Sequence, residues 1–266
     1  MSRRPAIGLA CGLAIGLTLA VAVEACSTSG APSGLTIYGA ASLKGALSAV
    51  STAWASSNPG VTLVISTDSS AALETKIEQG APADVFLSAD TTNPQELIDK
   101  GLADGDVVRF AVNRLAVIVP IGNPAGILTP ADLARRGVKI IGAGDSVPIS
   151  TYAARLVINL ATQAGYPLDF VKRYQANVTS REDNVASVVS KIALGEGDAA
   201  IVYTTDANTA ATVATIDVPE AANVPATYGG VVVRASKNGE AARAFLRWLR
   251  GPSGQAVLAS FGFSAP

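Results

Sequence analysis

Strand-like and helix-like runs of residues alternate along this chain from Leu35 to the C-terminus. Apolar runs such as residues 35–38 and 61–65 are each followed by a short polar turn and then by a helix-like run. Such alternation favours sheets that are mostly parallel, with helices packed on both faces. We therefore predict an α/β fold of the doubly wound type.

Two of the polar turns fall where such a sheet would present a ligand-binding edge. Residues 39–42 follow the first apolar run, and residues 67–70 follow the second. Open α/β sheets bind ligands outside the carboxyl ends of their strands, and a helix N-terminus offers free N–H groups and a favourable dipole to an anion. Neither turn contains Lys, Arg or His. The turns thus indicate a small anion that is held by neutral donors.

The length of the chain is sufficient for two lobes. It has 266 residues, of which 49% are hydrophobic, enough for a large buried core. Long apolar segments near residues 110–119 and 229–234 are interpreted as strands that cross between the lobes. We predict that residues 35–112 and 229–266 form lobe 1 and that residues 113–228 form lobe 2.

Several classes of function are excluded by what the sequence lacks. The chain contains no histidine, which rules out Ser-His-Asp triads, His-based zinc sites and His general bases. Residues 142–147 and 195–198 begin like dinucleotide-binding loops but lack the third glycine, and no P-loop ending occurs. The net charge is −1 and there is no basic stripe for nucleic acid. We predict no enzyme activity, no cofactor, no metal-cation site and no nucleic-acid partner.

The N-terminus is typical of an export signal. Two arginines precede an apolar stretch over residues 6–23, and the stretch ends shortly before Cys26 in a pattern that resembles a bacterial lipobox. We predict a lipoprotein signal peptide over residues 1–25, lipidation of Cys26, and a flexible polar tether over residues 26–34. An uncleaved membrane anchor is the alternative. Either arrangement displays the domain outside the cytoplasm.

Two more polar turns and one tyrosine occur in the second predicted lobe. Residues 145–150 and 181–184 each lead into a helix-like run with side chains suited to capping, and Tyr203 ends an apolar run. Taken singly, each feature is typical of a helix start or a packed tyrosine. Taken with the two turns of lobe 1, they favour one site between the lobes.

Short motifs along the chain resemble those of one known family. They are Ala40-Ala41-Ser42-Leu43, Ser69-Ser70, Gly80-Ala81-Pro82-Ala83-Asp84 with the residues that follow to Asp90, Val147-Pro148, Glu182-Asp183 and Ile201-Val202-Tyr203. The pattern resembles the molybdate-binding proteins of bacterial molybdate ABC importers, often called ModA, and it covers residues 35–266. The resemblance implies a type II periplasmic-binding-protein fold, with two doubly wound lobes joined by two crossover strands.

The resemblance also implies which residues bind the ligand. Ser42 and Ser70 match positions that donate hydroxyl and backbone N–H groups from lobe 1. Ile149 and Asn184 match positions of lobe 2 that donate a backbone N–H, and Tyr203 matches a tyrosine whose hydroxyl reaches the ligand.

The chain departs from the pattern of that family at three places. Asp68 stands where a small residue is usual, Ile149-Ser150 replaces a small pair, and Asn184 replaces an apolar residue. We expect Asn184 to add a side-chain amide donor, and Asp68 to repel an anion unless it points away.

A pocket of neutral donors suits some oxyanions better than others. Molybdate and tungstate are fully ionised dianions at neutral pH, so N–H and O–H donors satisfy every oxygen. Phosphate keeps a proton, which would leave a polar group unpaired in a donor-only pocket. Sulfate passes that test and is excluded only by size, so the preference for molybdate rests on the resemblance.

The function that the resemblance implies is capture of molybdate or tungstate by a lipid-anchored, extracytoplasmic solute-binding protein. The lobes would close around the oxyanion, and the closed monomer would deliver it to an ABC permease with a cytoplasmic ATPase. One alternative is a binding protein for sulfate or another small oxyanion. Another is an enzyme on the same fold, which fold alone does not exclude.

Overall fold

The computed structural model describes residues 33–266. The predicted signal peptide and the predicted lipidation site Cys26 lie outside that range. Of the predicted tether, only Ser33 and Gly34 lie inside it, and they form the first two residues of a β-strand. Within the described range, no helix combines the length and apolar character needed to cross a membrane.

Ten β-strands form within residues 33–266. They are β1 (Ser33–Ala40), β2 (Val61–Asp68), β3 (Val85–Ser88), β4 (Ala103–Asn113), β5 (Leu115–Pro120), β6 (Ile140–Ala143), β7 (Val178–Glu182), β8 (Ala200–Tyr203), β9 (Val213–Ile216) and β10 (Ala226–Val233).

Nine α-helices and two short 3₁₀ helices form in the same range. The α-helices are α1 (Lys44–Ser57), α2 (Ser70–Glu78), α3 (Thr92–Asp99), α4 (Pro148–Ala161), α5 (Phe170–Asn177), α6 (Val185–Ala193), α7 (Thr204–Thr209), α8 (Gly239–Arg250) and α9 (Pro252–Ser260). The 3₁₀ helices are Ala41–Leu43 and Pro130–Ala134.

The strands form two sheets with the same topology. The first has the order β2-β1-β3-β10-β4. In the second, β8-β5-β9 is joined to the β6-β7 pair by a bridge between Ile140 and Ala199, which gives the order β7-β6-β8-β5-β9. The prediction of an α/β fold with strands alternating with helices is confirmed.

Four strands of each sheet run in the same direction, as predicted, and one strand of each sheet runs against them. In the first sheet β1, β2 and β3 are parallel, whereas β10 runs antiparallel to both β3 and β4. In the second, β6 and β7 are parallel, whereas β5 runs antiparallel to both β8 and β9. The reason is the crossing: β5 and β10 arrive from the other sheet and therefore enter from the opposite end.

The chain crosses between the sheets at two neighbouring segments. It leaves the first sheet at Asn113 and enters the second at Leu115, and it returns between Ile216 and Ala226. The side chain of Asn223 ties the two segments together, because its Nδ2 donates to the Leu115 carbonyl (2.9 Å) and its Oδ1 accepts from the Leu115 N–H (3.0 Å). The described residues pack as one compact unit, so the predicted lobe boundaries stay a prediction.

The core lies on both faces of the sheets. All residues of β3 and β5 are buried, as expected for strands that read as continuous apolar runs with helices on both sides. Trp54 of α1 packs edge-on against Phe245 and Trp248 of α8. This packing joins α1 to α8.

Candidate functional site

The two turns of the first sheet lie side by side. In the parallel register Ala40 pairs with Asp68, and Gly39 pairs with Leu87 of β3. The carboxyl ends of β1, β2 and β3 therefore meet at one edge. Ser42 lies in the 3₁₀ helix that follows β1, and Ser70 is the first residue of α2.

Ser70 is buried and fixed by a hydrogen bond to the neighbouring strand end. Its Oγ accepts from the Ala89 N–H at 3.0 Å, which leaves the hydroxyl proton to donate. The Ser70 N–H is in the first turn of α2 and has no acceptor within the helix. Ser69 caps the helix, because its Oγ accepts from the Ala72 N–H at 3.2 Å. Ser70 thus presents two donors at this edge.

Ser42 belongs to a buried network that includes residues of β4, α7 and β10. Its Oγ lies 2.8 Å from the Tyr228 Oη. The Nδ2 of Asn113 donates to that Oη at 3.3 Å and to the Thr205 Oγ1 at 2.8 Å. The Tyr228 oxygen accepts a hydrogen bond from Asn113, so the Tyr228 hydroxyl can donate its own proton to the Ser42 Oγ. The hydroxyl proton of Ser42 then remains available to donate to a ligand.

The corresponding turns of the second sheet also lie side by side. Ala143 of β6 pairs with Glu182 of β7 in parallel register, and α4 and α6 begin just beyond. Ile149 is the second residue of α4, and it follows a proline that has no N–H. Its N–H is therefore the first of that helix and has no intrahelical acceptor.

Asn184 caps α6 and also reaches the first sheet. Its Oδ1 accepts from the N–H and the hydroxyl of Ser187, at 3.0 and 3.2 Å. Its Nδ2 donates to Asp68 Oδ1 at 3.4 Å. The sequence predicts that this amide donates to the anion, but in the structure it donates to Asp68. The backbone N–H of Asn184 remains available to the anion.

Asp68 is paired rather than facing the site as a free charge. Its Oδ1 accepts from the Ser69 N–H at 2.8 Å, and Lys76 Nζ lies 2.9 Å from Oδ2. Burial alone would raise the pKa of Asp68, but the hydrogen bonds from Lys76, Ser69 and Asn184 outweigh it and lower the pKa. The carboxylate is thus ionised at neutral pH and neutralised by Lys76, a pairing that the sequence analysis missed.

Tyr203 is buried at the end of β8 with an unpaired hydroxyl. The ring is 1% exposed and packs edge-on against Tyr152 (6.3 Å between centroids) and Tyr228 (5.7 Å). Among the described residues, none is a hydrogen-bond partner of its Oη. Burial raises the pKa of Tyr203 well above its usual value, so the hydroxyl stays protonated. It can donate its proton in a hydrogen bond or accept a hydrogen bond on its lone pairs, but it does not ionise.

These contacts place the five predicted residues along one interface between the carboxyl edges of the two sheets. Ser42 and Tyr203 meet through Tyr228, and the turn that carries Ser70 meets Asn184 through Asp68. Ile149 lies one turn before Tyr152, which packs on Tyr203. The contacts of Tyr228 with Ser42 and of Asp68 with Asn184 join residues that are far apart in sequence, so no local pattern predicts them.

The chemistry of this interface is that of a binding site. It offers hydroxyl and N–H donors at strand ends and helix starts. Within residues 33–266 no group of three or more acidic, Cys or His side chains is placed to hold a metal ion. Two sheets of one topology, with their strand ends turned toward each other, define the architecture of a periplasmic-type solute-binding protein.

The chain belongs to the bacterial extracellular solute-binding proteins, since the model of that family matches residues 35–264. The molybdate-binding protein ModA of Mycobacterium tuberculosis is 32% identical over 270 residues, which is 98% of this chain and 99% of the relative. YvgL of Bacillus subtilis, a putative ABC transporter substrate-binding lipoprotein, is 29% identical over 87% of this chain and 86% of its own.

Solved structures agree in fold. The periplasmic molybdate-binding protein of Azotobacter vinelandii matches with a TM-score of 0.74 and 23% identity, over 87% of this chain and 99% of that one. The sulfate-binding protein SubI of Mycobacterium tuberculosis matches with a TM-score of 0.77 and 23% identity, over 88% and 87%. The predicted type II periplasmic-binding-protein fold is confirmed. The relatives are solute-binding proteins, so the chain is one as well, not an enzyme, and acts outside the cytoplasm.

Proposed function

We propose that this protein captures molybdate outside the cytoplasm and supplies it to an ABC importer. The near full-length similarity to ModA supports the choice of ligand. The structural observation that carries the proposal is the buried, protonated and unpaired hydroxyl of Tyr203. Buried hydroxyls without a partner are rare in folded proteins and costly. An oxyanion held between the two sheet edges would accept that hydrogen bond.

The proposed site surrounds the oxyanion with neutral donors from both sides. Ser42 and Ser70 contribute hydroxyl and N–H groups from one side, while Ile149 and Asn184 contribute N–H groups and Tyr203 its hydroxyl from the other. A tetrahedral dianion accepts on every oxygen, and the helix N-termini add partial positive charge. Closure of lobe 1 (residues 35–112 and 229–266) on lobe 2 (residues 113–228) brings the two sets together.

Donor chemistry also determines which anions fit. Tungstate has the charge and shape of molybdate, so we propose that it binds at the same place. Phosphate keeps a proton near pH 7, and a hydroxyl that faces only donors is left unpaired. Sulfate is separated by its smaller size alone, and the fold of SubI makes sulfate the alternative to test.

We propose that the mature protein is a monomer anchored by a lipid at Cys26. The lipobox-like sequence before Cys26 supports the anchor, as does the lipoprotein name of YvgL. Its partners would be a membrane permease and the cytoplasmic ATPase of that permease, with no nucleic acid and no cofactor.

The ligand is tested by calorimetric and thermal titration of the purified full-length protein with molybdate, tungstate, sulfate and phosphate. We expect saturable 1:1 binding of molybdate and tungstate. Since a ligand that binds only the folded state stabilises it, a hundredfold excess over Kd adds about 2.7 kcal/mol to the free energy of unfolding. Tighter binding of sulfate would establish the alternative, and no binding of any oxyanion would overturn the proposal.

Lys76→Met is expected to weaken molybdate binding about three- to tenfold. The substitution leaves the Asp68 carboxylate uncompensated beside the site, and a unit charge near a protein surface repels a nearby anion by roughly 1 kcal/mol or more. Asp68→Asn in the same chain removes that charge and restores the affinity. Calorimetry on the single and double variants measures both effects, and equal affinities in all of them would place Asp68 away from the ligand.

A further inference from the structure

Asp206 is a half-buried acidic group, with one buried carboxylate oxygen, that the proposed donor set does not use. It lies on α7, three residues after Tyr203. Its Oδ2 is buried and, among the described residues, without a hydrogen-bond partner. The backbone N–H of Tyr203 is the one hydrogen-bond donor that affects its pKa. The carboxyl group thus lies close to the backbone of the residue whose hydroxyl we expect to contact the ligand.

Asp206 also shares a cavity with another residue of the proposed site. The cavity has a volume of about 310 Å³ and lies between the first 3₁₀ helix, α1, α6 and α7. Ser42 and Asp206 both line it, together with Lys44, Thr205 and Thr209. Because Ser42 comes from the first sheet and Asp206 from the second, closure on a ligand changes the surroundings of this carboxyl group.

No charged group of the surrounding elements pairs with Asp206. The helix α7 packs on α6, β5, β8 and β9, and neither β5 nor β9 contains a titratable side chain. Lys191 of α6 is paired with Glu182 at 2.9 Å. Lys44 lines the cavity from α1 but forms no ion pair with Asp206 in the described range; the remaining titratable neighbours are the hydroxyls of Tyr203 and Tyr228.

The lack of a charged partner among the described residues determines the protonation state of Asp206. Burial raises the pKa of Asp206 to about 7, and the N–H of Tyr203 offsets only part of that effect. An ionised Asp206 in turn raises the pKa of both Tyr203 and Tyr228. The group therefore changes charge within the physiological range of pH, in a cavity that Ser42 of the proposed site also lines.

We propose that Asp206 takes up a proton when the oxyanion is captured, so that binding is tighter at lower pH. The inference rests on the proposed function. A dianion and an unpaired carboxylate repel each other strongly where water is excluded, so the complex requires the neutral acid. Below pH 7 Asp206 is already neutral and binding carries no penalty. Above pH 7 the proton must first be taken from solvent, which lowers the affinity by up to tenfold per pH unit.

The test is calorimetric titration of the full-length protein with molybdate at pH 6, 7, 8 and 9. For the native sequence we expect the affinity to be flat below pH 7 and to fall by up to tenfold per unit above it. Titrations at pH 8 in two buffers with different ionisation enthalpies should show uptake of close to one proton. Asp206→Asn keeps the shape of the side chain without the charge, so it should bind with no dependence on pH and more tightly than the native protein at pH 8.

Each other outcome has a distinct meaning. Binding of molybdate that does not vary with pH, without proton uptake, overturns the role of Asp206 and leaves the proposed function standing. A slope that persists in Asp206→Asn also overturns it. If that variant fails to fold, proton uptake by the native protein decides alone, since none at pH 8 contradicts the inference. Absence of molybdate binding at every pH overturns the proposed function as well.

Discussion

Tyr203→Phe is expected to weaken molybdate binding about 10- to 100-fold while leaving the unliganded protein at least as stable as before. A hydrogen bond to a charged partner contributes about 1.5–3 kcal/mol, which corresponds to that loss of affinity. In the unliganded protein the same hydroxyl is buried without a partner, so its removal eliminates a desolvation cost and raises the free energy of unfolding by about 1 kcal/mol. Calorimetry measures the first effect and urea unfolding the second.

Tyr228→Phe is the matched control for that experiment. Tyr228 is as deeply buried as Tyr203 and packs against it, but its hydroxyl is bonded to Ser42 and Asn113. Removing it should lower the free energy of unfolding by about 1–2 kcal/mol, because two buried partners each lose a bond. Opposite signs in the two variants support the assignment. A Tyr203→Phe variant that is less stable but binds normally would show that Tyr203 serves packing alone.

The placement of the proposed site follows from local sequence and simple topology. Ser42, Ser70, Ile149 and Asn184 each follow a strand-like run and open a helix-like run, and Tyr203 ends such a run. Once three strands of each sheet are parallel, their carboxyl ends share an edge. This much could be predicted without coordinates, because the alternation of strand and helix is a local property of the chain.

What the sequence could not supply are contacts between distant residues. The hydrogen bond between Ser42 and Tyr228 spans 186 positions, and that between Asp68 and Asn184 spans 116. The reversed direction of β5 and β10 has the same origin, because it depends on how the chain crosses between the sheets. The ion pair between Asp68 and Lys76 is different, because it spans only eight positions. The sequence pattern predicts that Asp68 repels the ligand or points away, because it does not show that α2 places Lys76 beside the end of β2.

The motif that contributed much to the family resemblance, residues 80–90, lies largely away from the proposed ligand. Asp84 lies at the amino end of β3, the end opposite Ser70 and Ala89. It is buried, and its carboxylate accepts from the Thr36 N–H (2.7 Å), the Ser236 hydroxyl (2.6 Å) and the Asn238 amide (3.3 Å). These bonds join the start of β1 to the segment after β10.

Asp84→Ala is therefore expected to lower the free energy of unfolding by about 2–4 kcal/mol, because three donors lose their acceptor in a largely buried place. Asp104→Ala is the control on the same sheet. Asp104 is more exposed and pairs with Arg234 and Arg243 at the surface, so its loss should cost less than about 1 kcal/mol. Urea unfolding measures both. Folded Asp84→Ala protein should bind molybdate with unchanged affinity, since the carboxylate supports the sheet from the far edge; weaker binding at equal stability would instead assign the motif a direct part in holding the ligand.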